Sequence, residues 1–300
     1  EMANLQVFAG VDADGNMILE APQRKPTIHD IFRHTGGFSY GNGSSEVDQA
    51  YQAANIGYGS SDSLKHMVTE QLPNMPLLYQ PGERWVYSVS HDIQAYLVEY
   101  FSGMPFDEYL QQTIFDPLDM DETFFGVPPE YNDRYTANYE AGADGSLALV
   151  EHQDGTRPAG ATDPYIRYTT IPFGGSGLSS TAMDYAKFAQ MLVNGGELNG
   201  FRILGNKTVD LMRMNHLPPN IGTLGNGGNG YGLGVQVLVD QAASGNLGSI
   251  GQFGWAGAAT TWVVMDPEED MVSILLTQFM PTDFDFSSRW QTMVYQSIEE

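Results

Sequence analysis

Apolar positions recur with different periods in different parts of this 300-residue chain. Residues 5–20 alternate about Asp12-Ala13-Asp14-Gly15 and predict two short strands joined by a hairpin turn. The turn lacks the later ligands and the closing Glu of a calcium loop. The pattern then turns helical. Thr27 reads as the cap of a helix Ile28–His34, stopped by Gly36-Gly37. Residues 38–60, rich in Gly, Ser and Asn, read as loop. Ser63–Leu72 carries Leu64, Met67, Val68 and Leu72 on one face. Ser90–Phe101 spaces Ile93, Tyr96, Leu97 and Tyr100 as a core face, and Pro105–Phe115 does the same with Phe106, Tyr109, Leu110 and Ile114. Residues 126–172 are irregular, with a turn at Ala143-Asp144-Gly145. Ala182–Val193 reads as a helix ended by Gly195-Gly196, and Asn206 as the cap of Lys207–Met214.

The character changes again after the Pro/Gly/Asn loop Leu217–Asn229. Strands are expected at Leu233–Asp240, Ser249–Phe253, Ala259–Asp266 and Met271–Phe279, the last two joined by the turn Pro267-Glu268-Glu269-Asp270. A helix over Ser287–Ile298 closes the chain. Strands at both ends and helices between them make an α+β layout, in which the N-terminal hairpin is expected to join the C-terminal sheet. No internal repeat is visible.

Hydrophobic residues make up 42% of the chain, enough for a substantial core. The net charge of −24 disfavours nucleic acid and anionic membranes as partners. No apolar run approaches the ~20 residues of a membrane span, and no signal peptide is visible at Glu1-Met2-Ala3-Asn4. Cysteine is absent, so thiolate chemistry is excluded and the compartment stays open.

Candidate chemistry narrows by elimination. Ser176, in Gly174-Gly175-Ser176-Gly177, misses the G-x-S-x-G nucleophile elbow because the second glycine comes one residue early. Ser-x-x-Lys on a helix would bring an amine beside a hydroxyl. The residues three before the four lysines are Pro22, Asp62, Asp184 and Leu204, and none is serine. The six histidines show no metal-binding spacing, and no metal or other cofactor is expected. His34, at a helix end, reads as a capping cation. Gly225-Asn226-Gly227-Gly228-Asn229-Gly230 matches G-x-G-x-x-G, but it follows a loop and precedes a strand, the wrong setting for a dinucleotide. Two places remain. Tyr87-Ser88-Val89 puts a phenol at the mouth of a helix. Phe253–Thr261 sets Trp255 among small residues that let a backbone approach a ligand. Read alone, Tyr87 and Trp255 are better taken as core aromatics than as functional groups.

Together these segments resemble the serine β-lactamase-like family, which includes class C β-lactamases, D-aminopeptidases and the esterases of bacterial lipase family VIII. PTIHDIFRHTGGF (26–38), the stretch 81–125 with PGERWVYSVSHD, FGGSGLSSTAMDYAKFAQMLVNGGELNGFRIL (173–204) and GWAGAATTWVVMDPEEDMVSILLTQ (254–278) follow the family's order. The resemblance covers nearly the whole chain. It implies an antiparallel sheet flanked by helices plus a mostly helical subdomain, here 1–26 with 201–300 and 27–200 respectively.

In that family the nucleophile is the serine of a Ser-x-x-Lys helix preceding the PTIHDIF-like segment. Glu1–Val7 resembles the stretch between the two, so the serine is expected on a segment N-terminal to Glu1. The resemblance makes Tyr87 the general base, with a phenol whose ordinary pKa near ~10 is lowered by the motif lysine. Val89 stands where the family has an asparagine, which disfavours amide substrates. Trp255-Ala256-Gly257 stands where relatives carry Lys-Thr-Gly. A lysine there would pair with a substrate carboxylate, whereas Trp255 offers an apolar wall. The Ala258 N–H aligns with an oxyanion donor, and Ser88 and Ala256 line the substrate. The expected function is a bacterial carboxylesterase forming an acyl-serine on a small ester, cytoplasmic or periplasmic. The alternatives are a β-lactamase or D-amino-acid peptidase, and a nucleophile-less binding module. A separate N-terminal fragment carrying Ser-x-x-Lys and a homo-oligomer are the partners left open.

Overall fold

A capping box starts the first helix. The Thr27 side chain accepts the Asp30 N–H, and the Asp30 carboxylate accepts the Thr27 N–H. The computed structural model describes residues 2, 4–56, 63–142, 144–150 and 171–298. The expected turn residue Ala143 and residues 151–170 of the irregular stretch 126–172, with residues 57–60 of the loop 38–60, lie outside the described residues. The chain divides into two compact units.

One unit comprises Glu1–Tyr109, Thr170–Gly177 and His216–Gly222. Strands Val7–Val11 and Met17–Glu20 form an antiparallel hairpin, as the alternation predicts. The hairpin does not join the C-terminal sheet. Its backbone partner is instead Leu77, through Phe8 N–H to Leu77 O at 2.9 Å and Leu77 N–H to Gln6 O at 2.8 Å. Burial explains the choice, because Leu5, Val7 and Leu77 share one apolar cluster with Ile31, Phe38 and Tyr51. The helix Ile28–Phe32 ends at Arg33. Gly37, at φ +90°, then lets the backbone pass Tyr79, where a Cβ would stand 2.6 Å from the carbonyl oxygen. Glu46–Ala53 is a helix where loop is expected. Ser45 and Asp48 form a second capping box, and Val47 and Tyr51, one turn apart, are fully buried. Leu64–His66 starts a helix that widens into a π turn over Met67–Gln71 and tightens over Leu72–Asn74. Ser90–Ser102 is the long helix of the unit, closed by Gly103 in the left-handed region.

The other unit comprises Leu110–Thr169, Leu178–Asn215 and Thr223–Glu300. Its five-stranded antiparallel sheet runs Met271–Leu275, Thr261–Asp266, Phe253–Gly257, Gln236–Leu238, Asn229–Tyr231. The helix Ala182–Val193, with the bounds its pattern predicts, packs on the first two of these strands. Ala189, Met191 and Leu192 share a core with Val237, Phe253, Val263 and Met265. The helix Phe284–Gln296 also packs on Met271–Leu275, and Trp290 donates to Ser273 Oγ at 3.2 Å. The expected strand Ser249–Phe253 forms later, at Phe253–Gly257, because Gly248 and Gly251 take positive φ and turn the chain. Asn206 is the first residue of its helix, with Gly205 at the cap and no side-chain capping bond. The α+β architecture is as expected.

Candidate active site

The Tyr87 phenol is positioned by the sequence on either side of it. Val86 N–H bonds to His34 O at 3.0 Å, and Gly82 N–H bonds to Thr35 O at 2.7 Å. These bonds tie the segment before Tyr87 to the end of the first helix. Val89 then starts the helix Ser90–Ser102. The half-buried Tyr87 ring lies among aromatic rings, with centroids 4.6 Å from His34, 5.4 Å from Tyr40, 5.8 Å from His91 and 6.5 Å from Trp85.

His34 is no capping cation. It is fully buried at φ +54°. Its Nδ1 lies 3.2 Å from the Ser88 N–H and 3.3 Å from Ser88 Oγ, and its Nε2 lies 3.1 Å from His91 Nε2. Burial, and then the neighbouring His91, hold its pKa well below the ordinary histidine range. Burial also lowers His91 to about 4. Both rings are therefore neutral at physiological pH. Ser88 Oγ lies 2.8 Å from Ser90 Oγ. Asp92 is buried beneath the same cluster. Tyr40 donates its hydroxyl to Asp92 Oδ2 at 3.1 Å, and Gly175 donates its N–H to Oδ1 at 3.0 Å. Burial pushes the Asp92 carboxyl up to about 6, against the pull of those bonds.

The second expected place lies in the other unit. Trp255 is half-buried and packs edge-on against Tyr231 at 5.3 Å. Its strand is paired on both sides at Phe253 and Gly254, but from Trp255 to Gly257 the sheet register supplies only the Val263–Thr261 side. Ala258 is exposed at the following turn. Thr282 Oγ1 donates to the carbonyls of Gly257 and Ala258 at 3.2 and 2.9 Å. Thr277 Oγ1 donates to those of Ala259 and Thr260 at 2.8 and 2.9 Å. These threonines hold the turn, with Thr260 in the left-handed region at φ +58°.

Ser88 and Val89, expected to line a substrate, are both buried. Ser88 is 1% exposed and Val89 0%, with Val89 in the apolar core of its unit. Sequence reasoning missed His91, Asp92 and Tyr40 and misread His34. The signals present are the H-T-G-G run after the first helix and the His91-Asp92 pair in its successor. Among the described residues, no group of three His, Asp or Glu side chains could hold a metal ion. A cavity of about 290 Å3 bordered by Leu192, Asn206, Asp210, Arg213 and Asp270 includes none of these site residues.

Comparison with known proteins supplies the family. The Beta-lactamase family model matches residues 18–296. An uncharacterized protein of Mycobacterium tuberculosis is 31% identical over 281 residues, covering 90% of this chain and 67% of that protein. A Salmonella typhi protein named "Putative D-alanyl-D-alanine carboxypeptidase" is 27% identical over 280 residues, covering 84% and 57%. The chain thus spans between about half and two thirds of these relatives' lengths. In fold it is similar to unliganded simvastatin synthase (LovD) from Aspergillus terreus, with a TM-score of 0.79 at 22% identity over 100% of this chain and 76% of that one. It is likewise similar to EstCE1, described as a hydrolase with promiscuous acyltransferase activity, with a TM-score of 0.76 at 21% identity over 96% and 75%. The family match runs through both the Tyr87 segment and the Trp255 strand, and the chain belongs to the beta-lactamase family, with its serine β-lactamase-like α+β fold.

Proposed function

We propose that the protein containing this chain opens carboxylic esters through an acyl-serine, the serine being carried on a Ser-x-x-Lys segment outside residues 1–300. Serine Oγ attacks the ester carbonyl carbon, and its proton passes to the Tyr87 phenolate oxygen. The tetrahedral oxyanion collapses, the ester C–O bond breaks, and Tyr87 returns the proton to the departing alkoxide. Water then attacks the acyl-serine by the same route and releases the acid. The Ala258 N–H is the oxyanion donor supplied by this chain.

The observation that carries the ester reading is Trp255. It stands on the strand Phe253–Gly257 at the position where, by the family resemblance, a lysine would pair with the carboxylate of a β-lactam or peptide. An indole packed on Tyr231 suits a neutral, apolar acyl or alcohol group. The Salmonella relative's name favours a second reading, a D-alanyl-D-alanine carboxypeptidase. The full-length protein separates the two when p-nitrophenyl butyrate is assayed against nitrocefin and a D-alanyl-D-alanine peptide. The ester reading expects the highest kcat/KM on the butyrate and a shift toward carboxylate-bearing substrates in Trp255→Lys. Peptide or nitrocefin turnover above ester turnover refutes it.

A further inference from the structure

The hydrogen bonds around the His34–His91 pair permit only one placement of its protons. The Ser88 N–H points at His34 Nδ1 from 3.2 Å. A backbone amide only donates, so Nδ1 presents a lone pair and the proton sits on Nε2. That Nε2 lies 3.1 Å from His91 Nε2, which must then accept. His91 therefore carries its proton on Nδ1, and its ring also bonds the Gln94 side chain. Gln94 in turn donates its Nε2–H to Ile31 O at 3.2 Å. The bonds run one way, from Ser88 N–H through His34 to His91.

We propose that His34 is a positioning residue for Tyr87: this one-way chain locks its neutral Nε2–H tautomer, which holds the Tyr87–Ser88 peptide and keeps an uncharged ring against the phenol. The inference rests on the reading of Tyr87 as the base. An imidazolium 4.6 Å from the phenol ring would stabilise a phenolate permanently and weaken it as a base. A neutral ring leaves that control to the motif lysine. The chain opposes protonation at both rings. A proton on His34 Nδ1 breaks the bond from Ser88, and a proton on His91 Nε2 sets two N–H groups head to head. Charged groups on the elements packed here are engaged elsewhere. Asp30 bonds Arg24, Arg33 and Thr27; Arg33 also bonds His216 O; Asp92 bonds Tyr40 and Gly175.

Side-chain 15N NMR of the full-length protein, histidine-labelled, tests the tautomers without reference to activity. His34 is expected as Nε2–H and His91 as Nδ1–H, with neither titrating between pH 5 and 8. A His34 proton on Nδ1, or titration near the ordinary ~6.5, overturns the proposal. Kinetics test the positioning. Asn places its amide oxygen near the Nδ1 position, so His34→Asn keeps kcat for p-nitrophenyl butyrate within about threefold, while His34→Leu lowers it roughly 10–100-fold at unchanged KM. Equal kcat losses in the two variants, both folded by circular dichroism, overturn it. A wild type that hydrolyses no ester refutes the ester reading, and the NMR result then decides this one.

Discussion

Replacing Asp92 with Asn is expected to stabilise the protein at high pH relative to its effect at low pH. Asp92 is 1% exposed, so solvent screens its charge little. Its carboxyl sits at about 6 in the fold, against about 4 in an unfolded chain. Between those values the native state binds more protons than the unfolded state, so stability falls as pH rises through the window. At about 1.4 kcal/mol per pKa unit, holding Asp92 ionised costs about 3 kcal/mol above pH 6 and little at pH 4. Asn removes that cost. Its Oδ1 still accepts the Gly175 N–H, and its Nδ2 donates to Tyr40 Oη in place of the bond that the carboxylate accepted. Exchanging those bonds costs about 1 kcal/mol at any pH. Urea unfolding at pH 5 and pH 8 separates the two effects. The variant-minus-wild-type difference should move in the variant's favour by about 1.5 kcal/mol at pH 8. An unchanged difference, or one moving the other way, would refute the assignment of Asp92 as a buried carboxylate that ionises at a cost.

Asp30→Ala should destabilise by about 3–5 kcal/mol in denaturant titration, because it strips the ion-pair partner from Arg33, whose side chain is 13% exposed. The bonds from Arg24, Thr27 and Arg33 hold Asp30 well below the ordinary carboxylate range. Its contribution is therefore present at neutral pH and is lost as pH falls below about 4. Gly174→Ala should cost more than Gly175→Ala. A Cβ at Gly174 would meet the backbone carbonyl oxygen of His91 at 2.1 Å, whereas one at Gly175 meets the Tyr40 hydroxyl, which can move. We expect about 3 kcal/mol or more against 1–2 kcal/mol by thermal unfolding. Ser45→Ala should cost about 1 kcal/mol through the lost cap on Glu46–Ala53, and no change would argue against that cap.

Strong local patterns were legible in the residues. Thr27, the periodicity of Ala182–Val193 and the hairpin about Asp12–Gly15 all decide their elements within a few residues of chain. The helix Glu46–Ala53 was not legible, because its Gly- and Ser-rich flanks outweighed the Ser45/Asp48 box and the Val47/Tyr51 pair. The hairpin's partner is Leu77, some seventy residues away, a choice made by shared burial that alternation alone does not encode. The site divides the same way. Tyr87 and Trp255 stand out through motif order. His34 and His91 acquire meaning only from contacts 54–57 residues apart. A histidine after a helix reads as a cation until burial makes it a neutral acceptor. Val89 sits in a motif position yet points its methyls into the core, so its motif place misled about its surroundings.

Tyr87 is proposed as the base for an ester-opening serine. The direct measurement is the rate at which a fluorophosphonate labels the full-length protein, followed by intact mass and peptide mapping, in wild type and Tyr87→Phe. One label is expected on the serine of a Ser-x-x-Lys sequence, formed roughly 100-fold more slowly in the variant at unchanged thermal stability. Labelling of Tyr87→Phe at the wild-type rate, or no labelling of the wild type, would contradict it.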